Sequence, residues 1–238
     1  MTYPITRASA HEVIANAPSP LPLRWVIGVG RNYADHAAER GADVPERPML
    51  FTKNPASLAT HEEPIVIPAC CTDPEQVDYE AELAIVIGSP AKNLTHANAL
   101  DHVLGYTCAN DVSARWWQKK GSGGQFHRGK SFDTFCPLGP HVTPVSDIPD
   151  PQSLTITGVL NGDVVQSDTT ASMVFSVTEL LVRISEGVTL LPGTVILTGT
   201  PAGVGAAQDP PRFLRPGDTF EVTIESIGTL RNPVVADS

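Results

Sequence analysis

Long apolar runs, paired cysteines and an excess of basic residues are all missing from this 238-residue chain. A membrane-spanning helix needs about 20 consecutive apolar residues, and no run of that length occurs. Lys and Arg total 16 against 26 Asp and Glu, which gives a formal net charge of −10. Because nucleic acids and anionic membranes attract clusters of Lys and Arg, we expect neither to be a partner of this protein.

The cysteines are few and poorly spaced for metal binding or for a disulfide framework. The chain has 4 of them, and no pair has the C-x-x-C spacing of a zinc site. Cys70 and Cys71 are adjacent, which is poor geometry for a disulfide bond. Residues 1–22 also lack the continuous apolar stretch of a secretion signal. Together these observations predict buried free thiols and a soluble, cytoplasmic protein.

The composition is that of a folded protein with many turns. Hydrophobic residues make up 41% of the chain and charged residues 18%, which excludes a disordered protein. Strict apolar alternation over residues 77–88 predicts a strand. The pair Asn161-Gly162 between two β-rich runs predicts a tight hairpin, and Ser176 with Glu179 forms a capping box that opens a helix.

The remaining elements follow from the same local patterns, together with turn and helix-end residues. We expect further strands at residues 24–30, 105–109, 194–198 and 219–225, helices at residues 33–40, 96–104, 113–120 and 176–187, and a mobile loop or lid at residues 121–129. This outline predicts an α+β, β-rich fold. Residues 1–23 form an N-terminal arm in this interpretation, and residues 24–238 form a single domain.

Several familiar catalytic motifs fail when tested against the chain. Gly28-x-Gly30 begins like a dinucleotide-binding fingerprint, but the position of the third glycine holds Tyr33. The sequence contains no H-E-x-x-H, no G-x-S-x-G and no G-x-x-x-x-G-K-[ST] motif. Zinc proteases, hydrolases with a nucleophile elbow and P-loop enzymes are therefore disfavoured.

Three acidic residues are candidate ligands of a hard cation. Glu80 and Glu82 are two apart on the predicted strand, so their carboxylates share one face with Cα atoms roughly 6.5 Å apart. The alternative is that this is the solvated face of an amphipathic strand. Asp111 follows the next predicted strand and is a third candidate, with a helix N-cap as its alternative role.

A second group of candidates would carry proton transfer and charge stabilisation. His36 and Glu39 are three apart on a short helix, so the carboxylate can orient the imidazole as a general base. Lys130 follows the candidate lid, where its ammonium would stabilise an enolate. A solvated surface pair and a solvated lysine are the respective alternatives.

Five motifs in order along the chain resemble those of the fumarylacetoacetate hydrolase family, in its short single-domain branch, and they fall within residues 24–230. They are Gly28-Val-Gly-Arg-Asn-Tyr-Ala-Asp-His36, Asp78-Tyr-Glu-Ala-Glu-Leu-Ala84, Asn110-Asp-Val-Ser-Ala-Arg115, Gly129-Lys-Ser-Phe-Asp-Thr-Phe135 and Thr198-Gly-Thr-Pro-Ala-Gly-Val-Gly205.

The resemblance implies a fold built around a rolled, mixed β-sheet, a homodimer, and a divalent cation held by carboxylates. Position by position, it implies the metal ligands Glu80, Glu82 and Asp111, the catalytic residues His36, Glu39 and Lys130, and the substrate-binding residues Arg115, Gln118, Thr200 and Lys53. The chain departs from the family at Trp116, where an acidic residue is common, so we expect the pocket to differ in shape there.

Oxygen ligands of this kind suit Mg²⁺ or Mn²⁺, with Ca²⁺ as a further fit, and the lack of nearby Cys and His ligands argues against zinc. We expect a small 2-oxo or diketo acid to chelate the ion. The expected reaction is hydrolysis of a C–C bond in an acylpyruvate such as fumarylpyruvate or acetylpyruvate. The alternatives are an oxaloacetate decarboxylase or tautomerase, or a related isomerase or hydratase, on the same site, and a metal-binding protein without turnover.

Overall fold

The computed structural model describes residues 1–237. Within them, the strands are β1 (Tyr3–Ser9), β2 (Glu12–Ala15), β3 (Leu21–Pro22), β4 (Trp25–Gly30), β5 (Met49–Lys53), β6 (Leu58–Ala59), β7 (Ile65–Ile67), β8 (Val77–Asp78), β9 (Ala81–Ile87), β10 (Val103–Asn110), β11 (Ser113–Ala114), β12 (Cys136–Pro144), β13 (Thr155–Leu160), β14 (Asp163–Thr169), β15 (Thr194–Leu197), β16 (Thr219–Ile224) and β17 (Gly228–Ala236). The α-helices are α1 (Ala34–Glu39), α2 (Arg115–Gln118), α3 (Phe126–Lys130) and α4 (Val177–Ser185).

Two large sheets and one small pair make up the architecture. The ten-stranded sheet runs in the order β3-β2-β1-β12-β10-β9-β15-β4-β5, with β6 paired to β12. Strand β15 is parallel to β4 and antiparallel to β9, so this sheet is mixed. The five-stranded sheet runs β14-β13-β16-β17-β7, and β8 pairs with β11. The expected β-rich fold with mixed sheets and few helices is confirmed.

The two faces of β9 enter different apolar cores. Leu83, Ile85 and Ile87 pack in the larger core with residues of the five-stranded sheet. Ala84 and Val86 belong to the second core, which the N-terminal strands and β12 complete. Each fully buried Leu or Ile side chain contributes about 1.5–3 kcal/mol. Because both faces are buried, the register of β9 is fixed, and with it the position of the acidic residue that the strand carries.

Several predicted elements are confirmed with small shifts in their ends. The strand expected at residues 24–30 is β4, which begins at Trp25, and the helix expected at residues 33–40 is α1. The Asn161-Gly162 turn joins β13 to β14 in an antiparallel hairpin. Helix α4 starts after Ser176, whose hydroxyl accepts a hydrogen bond from the Glu179 N–H.

Three predictions of local structure were wrong in detail. The helix expected at residues 96–104 is a 3-10 turn at Ala99–His102, because Val103 already starts β10 and pairs with β9. Residues 121–129 contain the start of α3, not only loop: a Cβ on Gly129 would lie 2.3 Å from the Gln118 backbone N, so the glycine permits close packing on α2. The strand expected at residues 77–88 is interrupted at residues 79–80.

The N-terminal strands are part of the large sheet. Strand β1 pairs antiparallel with β12, with Tyr3 opposite Val142, and β2 and β3 extend the sheet beyond it. Among residues 1–237, the structure has no helix of the length and apolarity required to cross a bilayer. The four cysteines are free thiols; Cys71, Cys108 and Cys136 are buried as predicted, whereas Cys70 is exposed, so the prediction was wrong for that residue.

Candidate active site and metal centre

A cleft beside β4, β9 and α2 gathers most of the side chains that the sequence singled out. The lining residues include His36, Glu80, Glu82, Arg115, Gln118, Lys130 and Thr200. The other three candidates, Glu39, Asp111 and Lys53, each contact a neighbour in this group or one another. The chain therefore brings together residues that are far apart in sequence.

Antiparallel pairing of β9 and β10 creates the acidic cluster. Glu82 lies in β9 opposite Ala109, and Asp111 directly follows the end of β10. The Asp111 N–H donates to the Glu80 carbonyl at 2.9 Å, which keeps the start of one strand beside the end of the other. Ligand oxygens of Glu80, Glu82 and Asp111 lie within 4.8 Å of one another, and all three residues are buried.

Buried cations surround part of this cluster. The Lys130 ammonium donates to Glu80 Oε2 and Ser113 Oγ, both at 2.8 Å, and to Asp111. An ammonium has three N–H donors, so these contacts occupy all of them. Lys130 therefore acts on the cleft by its charge, and its hydrogen bonds hold the carboxylates.

Arg115 links the acidic cluster to a second buried carboxylate. Its guanidinium donates to Glu80 Oε1 and Asp78 Oδ2, both at 2.7 Å, and to Gln118 Oε1 at 3.1 Å. The Arg115 Nη2 atom also lies 2.7 Å from Asp78 Oδ2, so the guanidinium is held against the Asp78 carboxylate by two of its nitrogen atoms. Asp78 is not among the candidates that the sequence predicted, although the spacing Asp78-x-Glu80-x-Glu82 places it in the same motif.

The two glutamates have opposite electrostatic environments. Burial raises the pKa of Glu80, but the charges of Lys130 and Arg115 outweigh it and bring the pKa below the ordinary value. Burial also raises the pKa of Glu82, and the nearby Asp111 and Glu80 carboxylates raise it further. Within residues 1–237, Glu82 forms no ion pair, and its carboxylate accepts a 2.7 Å hydrogen bond from the Gly199 N–H.

This environment fits a divalent cation. Three carboxylates that repel one another, one of them without a cationic partner, are stabilised when a positive ion lies between them. Their oxygen atoms are the ligand type preferred by Mg²⁺, Mn²⁺ and Ca²⁺. Glu80, Glu82 and Asp111 are the residues that would hold the ion.

His36 and Glu39 form the pair expected from their spacing on α1. His36 Nδ1 lies 2.7 Å from Glu39 Oε1, and Glu39 Oε2 accepts a 2.8 Å hydrogen bond from the Gly203 N–H. A carboxylate only accepts, so Nδ1 carries the proton. The other ring nitrogen, Nε2, is left as the basic atom available to a molecule in the cleft.

The loop of residues 198–205 organises the site through its backbone. Its N–H groups at Gly199, Gly203 and Gly205 donate to Glu82, Glu39 and Asp78 respectively, at 2.7–2.8 Å. Every residue except proline has a backbone N–H, so residue type does not reveal which N–H groups donate. The sequence therefore identified the loop as a motif but did not predict that its backbone holds these carboxylates.

Thr200 lies in the same loop and lines the cleft. Its hydroxyl donates to the Ala81 carbonyl at 2.9 Å and accepts from Gln166 Nε2 at 2.7 Å. Gln166 also accepts from the Ala81 N–H. The loop is thereby fixed to the start of β9, next to Glu82.

Two residues discussed with the resemblance, Lys53 and Trp116, lie outside the lining of the cleft. Lys53 is fully buried in β5 and donates to Asp111 and to the Val112 carbonyl, so it lies behind a carboxylate instead of lining the cleft. Trp116 is 42% exposed and packs edge-on against Trp117, with 4.7 Å between ring centroids. It is not among the residues that line the cleft.

The comparisons with known proteins all point to one family. The profile of the fumarylacetoacetate (FAA) hydrolase C-terminal family matches residues 25–235. The oxaloacetate tautomerase YisK of Bacillus subtilis is 44% identical over 228 residues, which cover 95% of this chain and 74% of that protein. The mitochondrial oxaloacetate tautomerase fahd2 of Xenopus laevis is 48% identical over 210 residues, 88% of this chain and 65% of that protein. The chain thus spans about two thirds to three quarters of these relatives.

Solved structures share the fold. A putative HpcE protein from Mycobacterium smegmatis superposes with a TM-score of 0.86 at 37% identity, over 95% of this chain and 78% of that one. Fumarylpyruvate hydrolase from Pseudomonas aeruginosa, solved with Mn²⁺ and pyruvate, gives a TM-score of 0.84 at 29% identity, over 97% and 99%.

Proposed function

This chain belongs to the fumarylacetoacetate hydrolase family, and from that premise we propose that it interconverts the keto and enol forms of oxaloacetate with the help of a divalent cation. The observation that carries the proposal is the placement of the His36–Glu39 pair beside the buried cluster of Glu80, Glu82 and Asp111. The relatives called oxaloacetate tautomerases support this reaction over the others. The hydrolase expected from the sequence becomes the second candidate.

The acidic cluster and its counter-charges define where a 2-oxo acid binds. Mg²⁺ or Mn²⁺ is the proposed ion, and when bound it would polarise the 2-oxo and carboxylate oxygens of the substrate as a Lewis acid. Arg115 lines the cleft, and in this proposal its positive charge attracts the substrate carboxylate. Lys130 adds a fixed positive charge, and such preorganised charges are effective in a water-poor site.

The His36 imidazole moves the proton. Neutral Nε2 removes a hydrogen from C3 of oxaloacetate as a proton, so the C–H electron pair becomes the C2=C3 double bond and the carbonyl π pair moves to the C2 oxygen. The imidazolium then gives its proton to that oxygen, which yields the enol and restores the neutral base. Glu39 stabilises the imidazolium through its 2.7 Å contact. General acid–base catalysis of this kind supplies about 10²–10⁴ in rate.

The enol content of freshly dissolved oxaloacetate, followed by its ultraviolet absorbance, tests the proposal. We expect the protein with Mg²⁺ to accelerate the loss of the enol signal, and chelator to remove the acceleration. Pyruvate is measured in parallel with lactate dehydrogenase, and tautomerisation releases none. Release of pyruvate at the rate of oxaloacetate loss would instead show a decarboxylase.

Two variants connect the activity to the named residues. His36→Ala should lose the acceleration and keep its affinity for Mn²⁺, measured by calorimetry, because the imidazole is not one of the cation ligands. Glu82→Ala should lose both. If the His36→Ala protein tautomerised oxaloacetate at the parent rate, His36 would not be the base.

The second candidate is hydrolysis of an acylpyruvate. Its support is the similarity to the fumarylpyruvate hydrolase structure, which contains Mn²⁺ and pyruvate. The same His36 Nε2 would deprotonate a water that attacks the distal carbonyl, and cleavage of the C–C bond would then release a carboxylic acid and the pyruvate enolate. Pyruvate release from fumarylpyruvate or acetylpyruvate, with no effect on the oxaloacetate enol signal, would favour it.

A further inference from the structure

Three cationic side chains without ion-pair partners line the outer part of the cleft. Arg31 and Lys119 are exposed, Arg40 is half-buried, and all three lie along the cleft that contains the acidic cluster at its base. Among residues 1–237, none of them forms a salt bridge. We call these three residues the cationic rim.

The rim charges disturb one another. Burial lowers the pKa of Lys119, and the positive charges of Arg40, Arg115 and Arg31 lower it further. Burial likewise lowers the pKa of Arg40, followed by the charge of Arg115, and together they outweigh the opposing effect of the Asp78, Glu80 and Glu39 carboxylates. Uncompensated like charges disfavour the folded state, and an anion between them removes that cost.

The backbone at the rim has an unusual conformation for its residue type. Arg31 has a φ of 58°, in the left-handed region that few side chains other than Gly, Asn and Asp adopt. It directly follows β4, and the neighbouring Asn32 side chain donates to the Thr198 carbonyl at 2.8 Å. Local backbone strain of this kind is concentrated at ligand sites, and here it places a cation at the cleft.

We propose that Arg40 and Lys119, together with Arg31, bind the second carboxylate of a dicarboxylic 2-oxo acid. The inference rests on the proposed function, since the acidic cluster and Arg115 take the 2-oxo carboxylate end of the substrate. The rim then recognises the other end. The enzyme therefore selects dianionic 2-oxo acids over monoanionic ones of the same size.

Two non-enolisable probes separate this selection from catalysis. 3,3-Difluoro-oxaloacetate and trifluoropyruvate share the 2-oxo acid end, but only the first has a second carboxylate. Calorimetry with the Mg²⁺-loaded protein gives a dissociation constant for each. We expect the dianion to bind at least about tenfold more tightly, as for hydrogen bonds to charged groups.

Substitutions in the cationic rim should change the dissociation constant of the dianionic probe only. Arg40→Gln and Lys119→Gln should each weaken the binding of 3,3-difluoro-oxaloacetate several-fold and leave the binding of trifluoropyruvate unchanged. The double variant should bind the two probes with similar dissociation constants. Lys119→Arg keeps the charge and should keep the selectivity. Lys92→Gln removes an exposed cation away from the cleft and serves as the matched control.

The possible outcomes distinguish the two proposals. If the parent protein binds both probes equally, or the rim variants weaken both to the same extent, the rim is not a carboxylate subsite and the tautomerase proposal stands. If the parent protein binds neither probe, the proposed function fails and the rim inference fails with it. Lys119 is exposed, so its variant also tests the rim if Arg40→Gln does not fold.

Discussion

The ammonium of Lys53 is buried and does not line the cleft, but it contacts a residue of the acidic cluster. It donates to Asp111 and to the Val112 carbonyl, at the end of β10. Both carboxylate oxygens of Asp111 are therefore in ion pairs: Oδ1 with Lys53 and Oδ2 with Lys130. Lys53 is therefore a positioning residue for the third candidate ligand.

Replacement of Lys53 by Met should weaken both the fold and the metal site. Breaking a buried ion pair by removing one partner costs about 3–5 kcal/mol, because a carboxylate is left uncompensated. Loss of an outer contact to a metal ligand typically lowers metal affinity about 10–100-fold. Urea unfolding and calorimetry with Mn²⁺ measure the two effects, with Lys92→Met as the exposed control. Unchanged metal affinity in Lys53→Met would show that Lys130 alone positions Asp111.

Residue-scale prediction from sequence succeeded where spacing fixes a contact. Glu39 is three residues after His36, so helix geometry alone brings the two side chains together. Prediction of contacts was incomplete where a side chain's partner is a backbone group or lies in a distant segment of the chain. The bond from the Gly203 N–H to Glu39 joins residues 164 apart, and nothing in the residue types announces it.

At the scale of elements, the loop of residues 198–205 connects β15 to the acids of the cleft. Gly203 has a φ of 108°, and a Cβ there would lie 2.1 Å from the Val165 carbonyl oxygen. The position therefore requires glycine for both conformation and space. Its N–H is also the group that fixes Glu39.

Gly203→Ala should therefore impair catalysis through a displaced Glu39. We expect kcat to fall at least about tenfold, part of the 10²–10⁴ that an oriented general base supplies, and Mn²⁺ affinity to stay within error. Gly162→Ala is the matched control, since Gly162 also has a positive φ, of 90°, but a Cβ there meets nothing within 4 Å. Equal losses of kcat in the two variants would indicate a general destabilisation.

The N-terminal hairpin is attached to the rest of the fold by a partly buried ion pair. Arg7 of β1 donates to Glu63 Oε2 at 2.8 Å and to the Leu58 carbonyl at 2.8 Å. The hydrogen bond from Arg7 lowers the pKa of Glu63 below the ordinary value of 4.5, although burial opposes the shift. A lowered folded-state pKa means that the carboxylate stabilises the fold when it is ionised.

The contribution of Glu63 should therefore depend on pH with a defined sign. It is fully present above the unfolded-state pKa of 4.5 and is lost as the pH falls through the lower folded-state value. Glu63→Gln should cost about 1 kcal/mol at neutral pH and progressively less in acid. Urea unfolding of both proteins at several pH values measures the difference. A difference that grows in acid would contradict the assignment.

Across the whole molecule, the fold class was predictable and the strand order was not. Apolar alternation, turn residues and a helix cap identify β9, the β13–β14 hairpin and α4 from local sequence alone. The placement of β15 between β9 and β4 depends on pairing between segments that are over a hundred residues apart, and local patterns carry no information about such pairs.

That non-local pairing concentrates negative charge in the interior of an already acidic protein, with net charge −10. Glu82 is 1% exposed and lies among other carboxylates. Without a cation the cluster opposes folding, and with one it supports folding. Stability of the whole chain should therefore respond to divalent cations through this one residue.

Thermal unfolding with Mg²⁺ and with chelator measures that response. For the parent protein, a cation that binds only the folded state adds about 2.7 kcal/mol at a hundredfold excess over its dissociation constant, so we expect a clear rise in Tm. Glu82→Gln removes one repelling charge at nearly constant shape, and it should unfold at a higher temperature than the parent in chelator but gain little from Mg²⁺. Glu46→Gln, at an exposed position, should follow the parent in both conditions. A Glu82→Gln protein that is less stable than the parent in chelator and still stabilised by Mg²⁺ would show that Glu82 neither repels its neighbours nor holds the ion.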